Sequence, residues 1–166
     1  MDELEILRNV PFFDGLGDDQ LTTVRSLTRS VAAGAGTAIL SEGDHSFSLF
    51  VLVRGEVDVT KRLGLTAGNP DGIGKDKTIV RLAAPQFFGE MALLGDSLRT
   101  ATVIASTDCD LLELAQSDFE ALVETDLPLA YRLLNNIAAA LCARLRRTDR
   151  DVLKLTAALS LALGNR

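Results

Sequence analysis

Histidine is almost missing from this chain: His45 is the only one in 166 residues. No Ser-His-Asp or Cys-His catalytic set can be assembled without it, and a metal site has no second histidine to use. Set among turn residues, His45 reads as a solvated loop side chain. Cysteine is nearly as sparse. Cys109 and Cys142 stand alone without metal-ligand spacing, which predicts reduced structural thiols in a cytoplasmic protein. No apolar run approaches the roughly 20 residues that span a bilayer, so no membrane partner is expected. The start Met1-Asp2-Glu3-Leu4-Glu5 is acidic, unlike a signal peptide. Positive charge is in the minority, with 17 Lys and Arg against 23 Asp and Glu and a net charge of −6. That balance disfavours a nucleic-acid surface. An anionic ligand would need a local positive site.

What is present is a core: 47% of the residues are hydrophobic, which fits a globular protein and argues against disorder. Residues 1–29 read as helical. Asp18 or Asp19 can N-cap a segment whose Leu21, Val24 and Leu27 recur at helical spacing, after a hydrophobic plug at Val10-Pro11-Phe12-Phe13. From Ser30 to Leu114 short β-type runs take over, at 37–40, 49–53, 56–61, 78–82, 100–105 and 109–114. Glu42-Gly43-Asp44 and Arg54-Gly55-Glu56 punctuate them as turns. Several short strands at this spacing predict an antiparallel barrel or jelly roll. The Gly-rich, polar stretch 64–77 predicts an exposed, mobile loop. Ser117 is placed to N-cap a short helix, and Pro128 suits the first turn of a second one running to about Leu163. The expected class is α+β, with residues 1–116 forming N-terminal helices and a β-barrel and residues 117–166 forming C-terminal helices.

The second helix carries a heptad seam. Leu134, Leu141, Thr148, Leu155 and Ala162 occupy one position, and Ala138, Leu145, Val152 and Leu159 the other, so that eight of the nine are apolar. A pattern sustained over four heptads suits a coiled coil, and a parallel homodimer through the 128–163 helix is expected. Burial against the chain's own barrel accounts for the first two turns, but a helix this long outruns one small barrel. Thr148 is the polar exception. It costs stability there unless it fixes register or meets a ligand.

The most informative stretch is Phe88-Gly89-Glu90-Met91-Ala92-Leu93, followed after five residues by Arg99-Thr100-Ala101-Thr102-Val103. One carboxylate and one guanidinium stand among small and apolar residues, where an unpaired charge is costly. Two readings are open: Glu90 and Arg99 form a structural ion pair beside a turn at Gly95-Asp96-Ser97-Leu98, or together they recognise a ligand with an anion and a sugar hydroxyl. Arginine matches phosphate with a planar, two-pronged donor set, and a glutamate accepts from a ribose hydroxyl. Gly89 permits close backbone approach, and a helical turn starting at Glu90 or Met91 would aim N–H groups at a phosphate.

Other motifs carry less. The stretch Asn69-Pro70-Asp71-Gly72-Ile73-Gly74-Lys75-Asp76 resembles a phosphate-binding loop but fails twice, with Asn69 where the first glycine belongs and Asp76 where a hydroxyl would hold magnesium. Asp108 and Asp110 lie at a strand end and are expected to face solvent rather than do acid–base work. Arg144-Leu145-Arg146-Arg147, followed by Asp149, Arg150 and Asp151, reads as a solvated helix face, with Arg144 able to point toward the barrel.

The 88–105 stretch resembles the phosphate-binding cassette of cyclic nucleotide-binding domains and fits that family's signature at every restricted position. Residues 39–55 resemble the family's other signature. They depart from it at Leu40 and at Ser46, where a smaller residue is usual. The resemblance implies that Arg99 binds the cyclic phosphate and Glu90 the ribose 2′-hydroxyl, with backbone groups of Gly89, Met91 and Ala92 completing the cradle. It implies that Ile79 and Val80 line the base pocket, and Thr100 and Ala101 complete the expected ligand-binding set. Thr100 admits cGMP without requiring it. The run 144–152 is similar to the dimer helix of bacterial cAMP receptor transcription factors, which implies that Arg144 and Thr148 reach the base. Leu98 replaces a frequent proline, and Asp149 stands where a serine can assist. No helix-turn-helix segment follows in this sequence, and no DNA partner is expected.

The sequence therefore predicts a homodimeric sensor of cAMP or cGMP, without metal, that signals to an effector protein by moving its C-terminal helices. The alternative is an interaction module that dimerises independently of ligand. A phosphodiesterase-like enzyme is not expected, because the candidate pocket offers neither a metal nor a positioned base.

Overall fold

Helices open and close the chain and strands fill the middle, in a computed structural model that describes residues 3–62, 76–95 and 98–164. Helix α1 (Glu3–Arg8), a 3-10 turn at Pro11–Phe13 and helix α2 (Asp18–Ser26) come first. Gly17, rather than Asp18 or Asp19, is the N-cap of α2. Its N–H donates to Gln20 Oε1 at 3.1 Å, and the two aspartates occupy the first turn, where negative charge complements the helix dipole. The helical reading to residue 29 fails at its end. Thr28 and Arg29 begin strand β1 (Thr28–Ala33), drawn into the sheet by antiparallel pairing with residues 109–114 and by an ion pair from Arg29 to Glu113.

Seven more strands follow among the described residues: β2 (Ala38–Leu40), β3 (Ser48–Arg54), β4 (Glu56–Arg62), β5 (Asp76–Ala83), β6 (Gln86–Phe88), β7 (Thr102–Ala105) and β8 (Cys109–Ala115). They form two antiparallel four-stranded sheets, ordered β1-β8-β3-β6 and β2-β7-β4-β5, and no strand pairing joins the sheets among the described residues. Strand β6 was not foreseen, being only three residues long. The strand expected over 100–105 starts only at Thr102, because Thr100 and Ala101 contribute instead to the wall of a cavity. The expected loop over 64–77 and the phosphate-loop comparison over 69–76 fall largely on residues 63–75, which lie outside the described residues. Lys77 belongs to β5, opposite Lys61 of β4. Asp96 and Ser97 of the expected turn also lie outside them. The two strand-end carboxylates do reach solvent, Asp108 while accepting from the Ala35 N–H at 3.0 Å and the half-exposed Asp110 while pairing with Arg54 at 2.6 Å.

Away from its edge strand β1, the first sheet is buried on both faces. Leu49 and Val51 of β3 and Leu112 and Leu114 of β8 face the helices, where they meet Leu7, Phe12, Phe13, Leu21, Leu129 and Ile137. Their neighbours Phe50, Leu52 and Leu111 face the second sheet and meet Leu40, Val57 and Val103. Strand β6 repeats the division in two residues: Phe87 lies 5.6 Å from the Phe12 ring in the helical core, and Phe88 stacks 5.7 Å from Phe50 between the sheets. The second sheet has one wet face, where Asp58 and Arg81 pair across β4 and β5 at 2.7 Å.

Helix α4 (Gln116–Thr125) starts one residue before the expected cap, with Ala115 as N-cap and Ser117 in the first turn. Helix α5 (Leu127–Gly164) is 38 residues long, about 57 Å at 1.5 Å per residue. Asp126 Oδ1 accepts from the Leu129 N–H at 3.1 Å, and Pro128 fits in the first turn, where no N–H is needed. The buried face of α5 is Leu129, Ala130, Leu133 and Ile137. Beside it, Asn136 Nδ2 donates to the carbonyls of Phe12 and Asp14, each at 2.9 Å, and Arg132 donates to the Gly15 carbonyl at 2.9 Å. This face is not the heptad seam: Leu134 and Ala138 are exposed, and only Leu141 is half-buried. No helix among the described residues is long and apolar enough to cross a membrane.

Candidate functional site

Strand β6 ends at Phe88, and the chain turns at Gly89 into the four-residue helix α3 (Met91–Leu94). Gly89 has φ of 79°, a conformation that favours glycine. A Cβ there would also lie 3.0 Å from Arg99 Nη1 and 3.3 Å from the Ser48 carbonyl oxygen. Both the conformation and the crowding require glycine at this corner.

Arg99 is only 4% exposed. Its main chain is stitched to the turn before β3, its N–H donating to the Asp44 carbonyl at 2.8 Å and its own carbonyl accepting from the Gly43 N–H at 2.9 Å. The guanidinium donates from Nε to Ser46 Oγ at 2.5 Å, from Nη1 to the Gly89 carbonyl at 3.0 Å, and from Nη2 to the Ser48 carbonyl at 2.7 Å. A longer contact joins Nη2 to Ser48 Oγ at 3.4 Å. Every one of these acceptors is a neutral oxygen. Among the described residues no carboxylate lies within ion-pair distance of this arginine. Burial pushes its pKa below the usual arginine value, and the more distant charges of Glu113 and Glu90 push it back up.

Glu90, 5% exposed, does not pair with Arg99. Its Oε1 accepts from Arg144 Nη1 at 2.7 Å. Arg144 also donates from Nη2 to the Phe87 carbonyl at 2.8 Å and holds its guanidinium carbon 5.2 Å from the centre of the Phe87 ring. The ion-pair reading of Glu90 with Arg99 is thus overturned: each charge is held by a different element, 54 residues away in the case of Arg144. Arg144 turns inward from the otherwise solvated face of α5.

These groups surround a cavity of about 450 Å³ between the second sheet, α3 and α5. Gly89, Glu90, Met91, Ala92, Arg99, Thr100 and Ala101 contribute its polar corner. Ile79 and Val80 come from β5, and Arg144 and Thr148 from α5. All the residues singled out in the sequence are therefore brought together on one lining. Leu40, Val59, Leu82, Phe88 and Val103 supply apolar wall, so the space offers one charged corner and one greasy slot, as expected for a small polar ligand with a flat apolar part. Thr148 Oγ1 donates back to the Arg144 carbonyl at 3.1 Å, leaving its lone pairs available.

Sequence reasoning missed Arg147 and Asp151, which line the same cavity one turn along α5 from Arg144 and Thr148. Their helical spacing from those two residues was the available signal. It also missed the use of Ser46 and Ser48 as the seat of Arg99. At Ser46 the signal was visible as a departure from the resembled signature, read there only as an irregularity.

Comparison with known proteins gives a consistent picture. The sequence profile of the cyclic nucleotide-binding domain matches residues 29–126. The cyclic AMP receptor protein of Thermus thermophilus is 30% identical over 147 residues, covering 88% of this chain and 62% of that protein. A cAMP-dependent protein kinase regulatory subunit of Yarrowia lipolytica is 29% identical, covering 70% of this chain and 28% of that protein. This chain therefore spans less than two thirds of the length of either relative. The crystal structure of a cyclic nucleotide-binding domain from Methylobacillus flagellatus superposes with a TM-score of 0.77 at 26% identity, covering 90% of this chain and 80% of that one.

Proposed function

The chain belongs to the cyclic nucleotide-binding domain family, and on that premise we propose that it is a sensor that binds cAMP or cGMP in the cavity around Arg99. One observation carries this reading. A buried guanidinium faces a cavity of mononucleotide size while bonded only to neutral oxygens. Its charge is held in place but not cancelled, which suits an incoming phosphate. The two relatives named above carry cAMP in their names, which fits a cyclic nucleotide ligand.

In this reading the cyclic phosphate lies on Arg99 and the backbone at Gly89, Met91 and Ala92. The ribose 2′-hydroxyl meets Glu90, whose Oε2 takes no hydrogen bond from the described residues. The base lies along Ile79 and Val80, capped by Arg144 and Thr148, and Thr100 allows a guanine as well as an adenine. Glu90 is the shared element between ligand and helix, because Arg144 of α5 already holds its other oxygen. A ribose hydroxyl on Glu90 changes that bond and biases the position of α5, which is a population shift rather than a new fold. Residues 117–166 then act as lid and dimerisation element for residues 1–116, read as a jelly roll. A homodimer forms through the exposed seam of α5, and an effector protein reads the helices.

Calorimetric titration with cAMP and cGMP, wild type beside Arg99→Ala, tests the reading. Binding of one nucleotide at micromolar or tighter affinity, lost in the variant, is expected. No binding of either to folded, ligand-free protein sinks it, and the ligand-independent dimerisation module then leads.

A further inference from the structure

We propose that Ser46 is a positioning residue of the anion site, its hydroxyl setting the angle at which Arg99 meets the ligand's phosphate. The proposal rests on the cyclic-nucleotide reading and extends it to a residue at which this chain departs from the signature it resembles. A guanidinium has five N–H donors in one rigid plane, so two anchored donors leave an axis of rotation and a third fixes the plane and the direction of the remaining N–H groups. Two acceptors of Arg99 are backbone carbonyls, those of Gly89 and Ser48, placed by β6 and β3. The Nε–H goes to Ser46 Oγ, at 2.5 Å the shortest of the set. Ser46 does not line the cavity, whereas Arg99 and Gly89 do. The bond therefore draws the Nε edge away from the ligand space. It leaves the second N–H of Nη1, beside Gly89, as the donor without an acceptor.

Ser46 and Arg99 are also joined through the main chain. The Asp44 carbonyl and Gly43 N–H bond to the Arg99 backbone, two and three residues before the serine. Stem and head of the arginine are thus held by the same short connection. Without the hydroxyl, a nearly buried Nε–H loses its acceptor, and the plane can rotate about the two remaining bonds. A smaller residue at this position cannot make the contact; a serine can, without adding charge that would neutralise the arginine.

The test is titration of wild type, Ser46→Ala and Ser46→Thr with cAMP, cGMP and the two diastereomeric phosphorothioates of cAMP. It is paired with a melting-temperature cycle of Ser46→Ala and Arg99→Lys without ligand. Ser46→Ala is expected to weaken binding of the preferred nucleotide about tenfold, as for a lost hydrogen bond to a charged group, and Ser46→Thr to restore it. The preference between the two phosphorothioates should shrink in Ser46→Ala, since a guanidinium free to rotate distinguishes the two exocyclic oxygens less well. A purely structural role for Ser46 would leave that preference unchanged. Unchanged affinity in Ser46→Ala, equal weakness of the alanine and threonine variants, or an unchanged preference overturns the proposal. Wild type that binds no nucleotide overturns the nucleotide reading itself. In that case the cycle still judges the seat: destabilisations that add mean no seat, and destabilisations that fail to add show that the two residues act as one.

Discussion

The two halves of α5 are one continuous helix in two different surroundings. In residues 127–144 the helix buries Leu129, Ala130, Leu133 and Ile137, is tied to the N-terminal turn by Arg132 and Asn136, and ends its attachment at Arg144. From residue 145 to residue 164 every position is exposed. The second half is the more polar of the two, with Arg146, Arg147, Asp149, Arg150, Asp151 and Lys154, yet it keeps many large apolar side chains. It presents Leu145, Val152, Leu153, Leu155, Leu159, Leu161 and Leu163, with Leu155 71% exposed. Large apolar side chains alone therefore do not bury this half; burial also needs the sheets and the N-terminal turn within reach, as they are for residues 127–144. Exposed apolar side chains repeating along a seam suit an interface, which is why the proposed homodimer is placed on Leu145, Val152, Leu155 and Leu159.

The largest effect expected along this helix is from Leu133→Ala, which opens a cavity in the docked half and should lower stability by about 2–5 kcal/mol in urea unfolding. The same truncation at Leu155 should change the stability of the monomer by less than about 0.5 kcal/mol. Equal losses at the two sites would break the comparison. Next in size, Leu155→Gln combined with Leu159→Gln should raise the dimer dissociation constant at least about tenfold, or about 1.4 kcal/mol, in sedimentation equilibrium. A wild type that is monomeric at every concentration removes the dimer altogether. Arg144→Ala cuts the last attachment and leaves Glu90 buried without its partner. Because the arginine is partly exposed, the expected cost is only about 1 kcal/mol. Amide exchange should quicken over residues 138–150 and hold steady over 127–137. The smallest effect belongs to Thr148→Leu, which should tighten the dimer by less than about 1 kcal/mol while weakening nucleotide binding. Tighter dimers with unaltered binding would separate Thr148 from the ligand.

The cassette was legible because its chemistry is local: Gly89, Glu90 and Arg99 lie within eleven residues, and each has one main physical reason to be there. The extent of α5 was legible because helical periodicity survives without a structure, but its buried face, Leu129, Ala130, Leu133 and Ile137, is not the seam the heptad pattern picks out. Strand β1 was not, because its side chains are mostly half-buried or exposed and its identity comes from the partner strand β8. The buried first sheet shows no simple alternation in β3, where five residues in succession are buried. It was still readable as a strand from its β-branched and aromatic content. Least visible were the long-range pairings. Nothing in the sequence joins Arg144 to Glu90, or Ser46 to Arg99 across 53 residues, because such bonds depend on how elements cross rather than on what any of them contains.

The three residues of β6 have a consequence for the chain's tolerance of change. Phe87 is pinned opposite Val51 and Phe88 opposite Phe50, with the one ring in the helical core and the other between the sheets. A single residue inserted ahead of Gly89 would exchange those two rings and slide the glycine off the Ser48 carbonyl in the same step. Substitution by another large apolar side chain is a far gentler perturbation. Strand β6 thus works as a ruler: it sets the distance at which the turn at Gly89 begins, and it is far less forgiving of a change in count than of a change in identity.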